Sequence, residues 1–129
     1  DIVYTSRMTS KIRAAYSKNN KYLGGKVNVI VPKGNGYYIT ALLNSKLINF
    51  WYREKFSMQH MQGGALPVNA EDLKKIPMPQ YDHTLVGGVS EASKDLHVHF
   101  DAELRDKVDQ LIYQLYKLTP EEIEIIEKA

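Results

Sequence analysis

The chain of 129 residues has no cysteine. That excludes disulfides, thiolate metal sites and thiol nucleophiles, and it makes the cytoplasm the expected compartment. No run of about 18 apolar residues occurs, so no helical membrane span is expected, and no charged-apolar-small leader opens the sequence. Catalytic signatures are missing as well. Gly34-Asn35-Gly36 is followed by no Gly-Lys-Ser, so a phosphate-gripping glycine loop is not formed. There is no Gly-x-Ser-x-Gly elbow. Neither Asn-Pro-Pro-Tyr nor Asp-Pro-Pro-Tyr occurs, and no Pro-Asp…Asp/Glu-x-Lys nuclease pattern is visible.

What is present suits one soluble domain spanning 1–129. Apolar residues make up 43% and charged residues 25% of the chain, enough to build a core. The first residue is Asp1, and the chain reads as a piece of a larger protein, which need not carry the parent's chemistry. The net charge of +2 conceals an uneven distribution. Residues 1–80 hold twelve Lys/Arg against four Asp/Glu, a balance of +8, whereas residues 81–129 hold five against eleven, a balance of −6. A basic part facing a polyanion, with an acidic part turned away or packed on a basic neighbour, accounts for such a split.

The pattern predicts an α+β fold: a small mixed or antiparallel sheet, a central amphipathic helix at about 41–56, and two C-terminal helices at about 101–117 and 119–128. Ile2 to Thr5 reads as a strand. Met8, Ile12, Ala15 and Tyr16 share a helical face, which predicts a helical turn or short helix there. Val27 to Val31 (VNVIV) is β-branched and predicts a buried strand. Pro32 ends it, Lys33-Gly34-Asn35-Gly36 is a turn signal, and Tyr37 to Thr40 reads as the returning strand. In ALLNSKLINFWYREKF (41–56), Leu43, Leu47 and Trp51 recur every four residues, with Ile48 and Tyr52 widening the stripe, as a core-facing helix requires. Ser57 to Asn69 is a loop, and Asn69 caps a short helix over 70–75 that ends at Ile76-Pro77-Met78-Pro79. The stretch 81–100 is the hardest to read, with Leu85-Val86 and Leu96 to Phe100 as candidate strands. Asp101 caps the next helix, and Thr119-Pro120-Glu121-Glu122 has the residues of a capping box for the last.

Three stretches together form a recognisable order: Ala41 to Tyr52 (ALLNSKLINFWY), then Met61-Gln62-Gly63-Gly64 with Leu73 to Pro79 (LKKIPMP), then Val108 to Glu122 (VDQLIYQLYKLTPEE). The order resembles the TaqI-like C-terminal specificity domain of adenine methyltransferases and of fused type IIG restriction enzymes. It is also similar to the target-recognition domains of type I specificity subunits. The resemblance runs from about Lys11 to the end, with 81–100 departing from it as an insertion would. It implies a bacterial restriction-modification parent, in which a separate catalytic methyltransferase domain binds S-adenosylmethionine. This non-catalytic domain, which holds no cofactor itself, would grip double-stranded DNA and help to choose the sequence.

Cations that replace condensed counterions and polar groups that reach base edges are what such a role requires. Arg7, Lys11, Arg13, Lys21 and Lys26 flank the early turns and are the candidate cations, with Arg13 able to read guanine bidentately. In the loop after the main helix, Gln59 and Gln62 can pair with adenine, His60 can donate to guanine, and Gly63 lets backbone approach DNA. The acidic C-terminal helices are expected to lie away from the phosphates. Two other functions remain open: an interaction domain whose basic face docks on an acidic protein, and a small metal-dependent hydrolase. The latter would use His97 and His99, aligned on one face of a strand, with Asp101.

Overall fold

The structure, a computed structural model, describes residues 2–6, 8–9, 11–17, 27–32, 34–56 and 66–129. The elements in chain order begin with β1 (Ile2–Ser6), β2 (Met8–Thr9), β3 (Ala14–Ser17) and β4 (Val27–Ile30). Then come α1 (Gly36–Asn44), α2 (Lys46–Phe56), β5 (Leu66–Pro67) and α3 (Ala70–Leu73). Three helices close the chain: α4 (His83–Val98), α5 (Ala102–Leu115) and α6 (Pro120–Lys128). The α+β expectation and the two C-terminal helices hold.

β1 is the central strand of an antiparallel sheet with order β3-β1-β4, in which Val3 stands opposite Tyr16 on one side and Ile30 on the other. β2 and β5 form a separate antiparallel pair. Val3 and Thr5 share a face of β1 by the two-residue period of a strand, and both are completely buried. The residues 8–16, expected to be helical, instead supply β2 and β3. Pairing Ala14 to Tyr16 against β1 satisfies a whole run of backbone groups, which outweighs the weak apolar periodicity. β4 forms where expected but is not a buried strand. It lies at the edge of the sheet, Val29 is 43% exposed, and Val31 just beyond it is 74% exposed.

The main helical segment differs from expectation at both its start and its middle. Tyr37 to Thr40 is not a returning strand but the first turn of α1. Asn35 decides this: its Oδ1 accepts from the backbone N–H of Tyr37 at 3.0 Å and of Tyr38 at 3.2 Å, which makes it an N-cap rather than a hairpin residue. Gly36 is required next to it, because a Cβ there would run into the Tyr16 ring. The helix then breaks at Ser45, whose backbone is extended. Ser45 Oγ donates to Leu42 O at 2.7 Å and accepts from the Ile48 N–H at 3.2 Å, so one hydroxyl ends α1 and starts α2.

The largest departure is α4. Residues 83–98 form a helix of 16 residues where short strands were expected. Asp82 caps it by accepting from the Leu85 N–H at 3.0 Å, and Val86, Val89, Ser90, Ala92 and Ser93 form its buried face. Small side chains let it pack closely between α1 and α5, with Gly88 facing Leu111. The Ser90 hydroxyl donates to Val86 O within the helix and accepts from Asn35 Nδ2 at 2.8 Å, so the N-cap of α1 also fastens α4.

One apolar cluster joins these layers, including Val3 and Ile12 under the sheet, Leu42, Ile48, Tyr52 and Phe56 from α1 and α2, Val89 from α4, and Val108 and Ile112 from α5. The sequence stripe at 43–52 is part of it, with Leu43 and Ile48 buried and Leu47 and Trp51 packed against it half-buried. The Thr119 capping box forms as read, hydroxyl to Glu122 N–H and Glu122 carboxylate to Thr119 N–H. Asn35→Ala removes two helix-capping bonds and the link to Ser90. It is expected to cost about 1–2 kcal/mol in urea unfolding; a change below the error of the measurement would contradict the capping role.

Candidate nucleic-acid interface

The segment 11–14 is held in place by two asparagines of the broken helix. The Ile12 N–H donates to Asn49 Oδ1 at 2.6 Å. The Ala14 N–H donates to Asn44 Oδ1 at 2.7 Å, and Asn44 Nδ2 donates back to Ala14 O at 2.9 Å. Asn44 therefore pairs with this stretch of backbone as a neighbouring strand would. With Ile12 pinned inward at 2% exposure, its neighbours Lys11 and Arg13 both stand at the surface.

Lys11 and Arg13 border a groove of about 560 Å³ whose other walls come from distant parts of the chain: Ala41 and Asn44 of α1, Ser93, Leu96 and His97 of α4, then Phe100 and Arg105. Among the described residues no Asp or Glu lines it. The Arg105 guanidinium donates to the carbonyl of Asn44, the residue whose side chain clamps Ala14. His97 Nδ1 lies 2.8 Å from Ser93 O. A carbonyl can only accept, so the proton sits on Nδ1, and the ring also meets Tyr37 edge-on at 5.2 Å between centroids.

Behind the groove lies a buried carboxylate. Asp109 is 1% exposed. Its Oδ1 accepts from the Lys46 N–H, the first of α2, at 3.1 Å and lies 4.0 Å from Arg105. Its Oδ2 has no hydrogen-bond partner among the described residues. Burial raises the Asp109 pKa above the ordinary carboxylate value, and the Lys46 N–H, Arg105 and the Lys46 ammonium only partly offset this. On the far side of Lys46, its Nζ bonds Glu127 at 2.9 Å, and Glu127 also accepts from the Tyr113 hydroxyl at 2.8 Å. Those two bonds hold the Glu127 pKa below its usual range.

Of the residues predicted from sequence to contact DNA, only Lys11 and Arg13 fall among the described ones, and they reach the same groove. Arg7, Lys21, Lys26, Gln59, His60, Gln62 and Gly63 lie outside the described residues. Several other cations of the basic part are engaged with acids: Lys46 with Glu127, Lys74 with Glu71 and Lys75 with Asp72. Sequence reasoning missed Arg105 and Asn44, and it placed His97 on a strand that does not exist. His97 is in the last turn of α4 and His99 is its C-cap, so the shared strand face behind the metal-hydrolase reading is absent. Among the described residues no group of three or more His, Cys, Asp or Glu is arranged to hold a metal ion. No described helix is long and apolar enough to cross a membrane.

The groove thus gathers Lys11, Arg13, His97 and Arg105 from both ends of a small α+β scaffold. Residues 1–78 match the TaqI-like C-terminal specificity domain, and the chain belongs to that family of restriction-modification specificity domains. No curated protein matches the chain.

Two outcomes test the geometry. Asn44→Ala leaves the Ala14 N–H and C=O without their partner and is expected to cost about 1–3 kcal/mol in urea unfolding. A cost below about 0.5 kcal/mol would show that the clamp carries no weight. The second concerns Asp109. Because its folded pKa is raised, the folded state holds that proton more tightly than the unfolded chain does. Its contribution is greatest below the ordinary pKa and declines as pH rises through the folded value. Asp109→Asn keeps an acceptor for the Lys46 N–H but cannot ionise. The variant should therefore gain stability relative to the parent chain as pH rises above the ordinary carboxylate value of about 4. A difference that stays flat, or moves the other way, would contradict the assigned shift.

Proposed function

We propose that this chain recognises double-stranded DNA, in a sequence-dependent manner, for an adenine-specific methyltransferase of a restriction-modification system, and that it is not itself catalytic. Residues 1–129 act as one recognition domain, with 101–129 as a C-terminal helical segment. Catalysis and S-adenosylmethionine binding belong to a separate domain of the parent. The observation that carries the reading is the pair Lys11 and Arg13, which the Ile12 anchor and the Asn44 and Asn49 clamps fix at the mouth of a groove in a chain of the specificity-domain family. Cations presented from restrained backbone meet phosphates with less ordering cost than cations on free loops. Arg13 also has the planar fork suited to guanine or phosphate. Gln59, His60, Gln62 and Gly63 are proposed to read or approach bases, and Arg7, Lys21 and Lys26 to extend the phosphate contacts. The compartment proposed is the cytoplasm.

Titration of a pool of random-sequence duplexes at several salt concentrations tests this. Arg13→Ala and Lys26→Ala are each expected to weaken binding several-fold, with a shallower dependence of log affinity on log salt, by about one unit of slope per lost contact. Glu122→Ala, on the exposed start of α6, should leave both unchanged. Equal affinities for all three variants would sink the charge argument. Displacement of the duplex by polyglutamate as readily as by competing DNA would favour an acidic protein as the partner instead.

A further inference from the structure

We infer that the groove bordered by Lys11, Arg13, His97 and Arg105 is a binding site for a backbone phosphodiester, and that its Arg105 makes the C-terminal helices part of the DNA interface. This rests on the DNA reading above and deepens it. The family match ends at residue 78, so nothing in the match assigns a binding role to α4 or α5. The acidic balance of residues 81–129 alone would place them away from phosphate.

The geometry argues otherwise for one corner of them. Arg105, in the first turn of α5, reaches across to α1 and donates to the Asn44 carbonyl. Asn44 in turn holds Ala14 by two side-chain bonds, with Arg13 adjacent. One residue thus ties together the two walls that supply the cations, so their relative placement is set before any ligand arrives. A guanidinium has five N–H donors, and its fork matches a phosphate better than an ammonium does. Among the described residues, the acid within 4.0 Å of Arg105 is Asp109, which is buried behind the groove rather than lining it. Its charge is itself disfavoured by burial and drawn upon by the Lys46 N–H. The volume of about 560 Å³ lies within the range of small-ligand sites and admits a phosphate with parts of its flanking sugars. Phe100, 70% exposed, also lines it and offers an apolar surface to a sugar or base. The His97 ring, oriented by Ser93 O and Tyr37, reports from inside the site.

The test is an NMR titration of the full chain with inorganic phosphate, against sodium chloride of equal ionic strength, following the His97 imidazole. A saturable His97 shift with phosphate but not chloride is expected. It should weaken at least several-fold in Arg105→Gln and, as a second variant at an exposed position, in Lys11→Gln, with thermal unfolding confirming that each is folded. A His97 resonance that ignores phosphate, or that responds equally in the folded variants, overturns the site whatever the duplex titrations show. A site that binds phosphate in a chain that binds no duplex at low salt would instead overturn the DNA reading alone. Where duplex is bound, Arg105→Gln should flatten the salt dependence by about one unit; an unchanged slope places the phosphodiester elsewhere and overturns the inference.

Discussion

The break at Asn44-Ser45 is the constraint on which the described architecture turns. An uninterrupted helix over 36–56 would pair the backbone groups around Asn44 and Ser45 within its own ladder. Breaking it frees four carbonyls at the end of α1 and four N–H groups at the start of α2, and these must find partners. Nearby side chains meet part of that demand. Ser45 serves both helix ends, Asn49 Nδ2 donates to the carbonyls of Leu43 and Ser45, Asp109 takes the Lys46 N–H, and Arg105 donates to Asn44 O. The partners come from α2 and α5, and the same asparagines reach out to residues 12–14. The break is therefore the point where the sheet segment, the central helices and the C-terminal helix are fastened together.

Asp109 shows that this fastening is not free. A carboxylate at 1% exposure with one oxygen lacking a described partner is an unfavourable group to bury. A neutral residue at this position would avoid that desolvation, but it would lose the charge that attracts both the Arg105 guanidinium and the first N–H of α2. A negative group at a helix start is favourable in its own right, which offsets part of the cost. The arrangement ties α5 to the first turn of α2 and sets Arg105 4.0 Å from the same carboxylate. The Lys46–Glu127–Tyr113 chain does the same for α6 from a more exposed position, where a single ion pair adds only about 0–1 kcal/mol.

The parts of this fold legible in the sequence were those written in local chemistry. The capping residues Asn69, Asp101 and Thr119 and the apolar stripe of 43–52 depend on neighbours a few positions away, and each formed, as did the strand read at Ile2 to Thr5. The failures share a different cause. Tyr37 to Thr40 has the composition of a strand, yet Asn35 and the close approach of Tyr16 to Gly36 make it helical. The stretch 83–98 carries Gly87, Gly88 and several small polar residues that lower helix propensity by up to about 1 kcal/mol each. Its helix is supported by packing of those small faces on α1 and α5, information that no local window contains. Of the candidate site, the exposure of Lys11 and Arg13 could be anticipated from their flanking of a turn, but Arg105 could not. It is one arginine on an acidic helix, and only the carbonyl exposed by a break sixty residues earlier gives it a place.

The split of charge along the sequence also takes a different meaning once folded. Read linearly, a basic part and an acidic part invite a picture of two faces, one for DNA and one for solvent. In the fold the halves interleave. Acids of the second half are spent against cations of the first, as in Lys46 with Glu127, or sunk beneath the surface, as with Asp109. Other basic residues of the first half meet acids at the end of α3, where Lys74 lies 3.3 Å from Glu71 and Lys75 3.7 Å from Asp72. Lys11, Arg13 and Arg105 border the groove, with no described carboxylate along its lining. Binding to a polyanion responds to this local potential rather than to the balance of either half, because screening confines surface charges to a range of about 8–10 Å. A chain of net charge +2 can therefore present a strongly cationic groove, and the residues that create it are drawn from both ends of an apparently divided sequence.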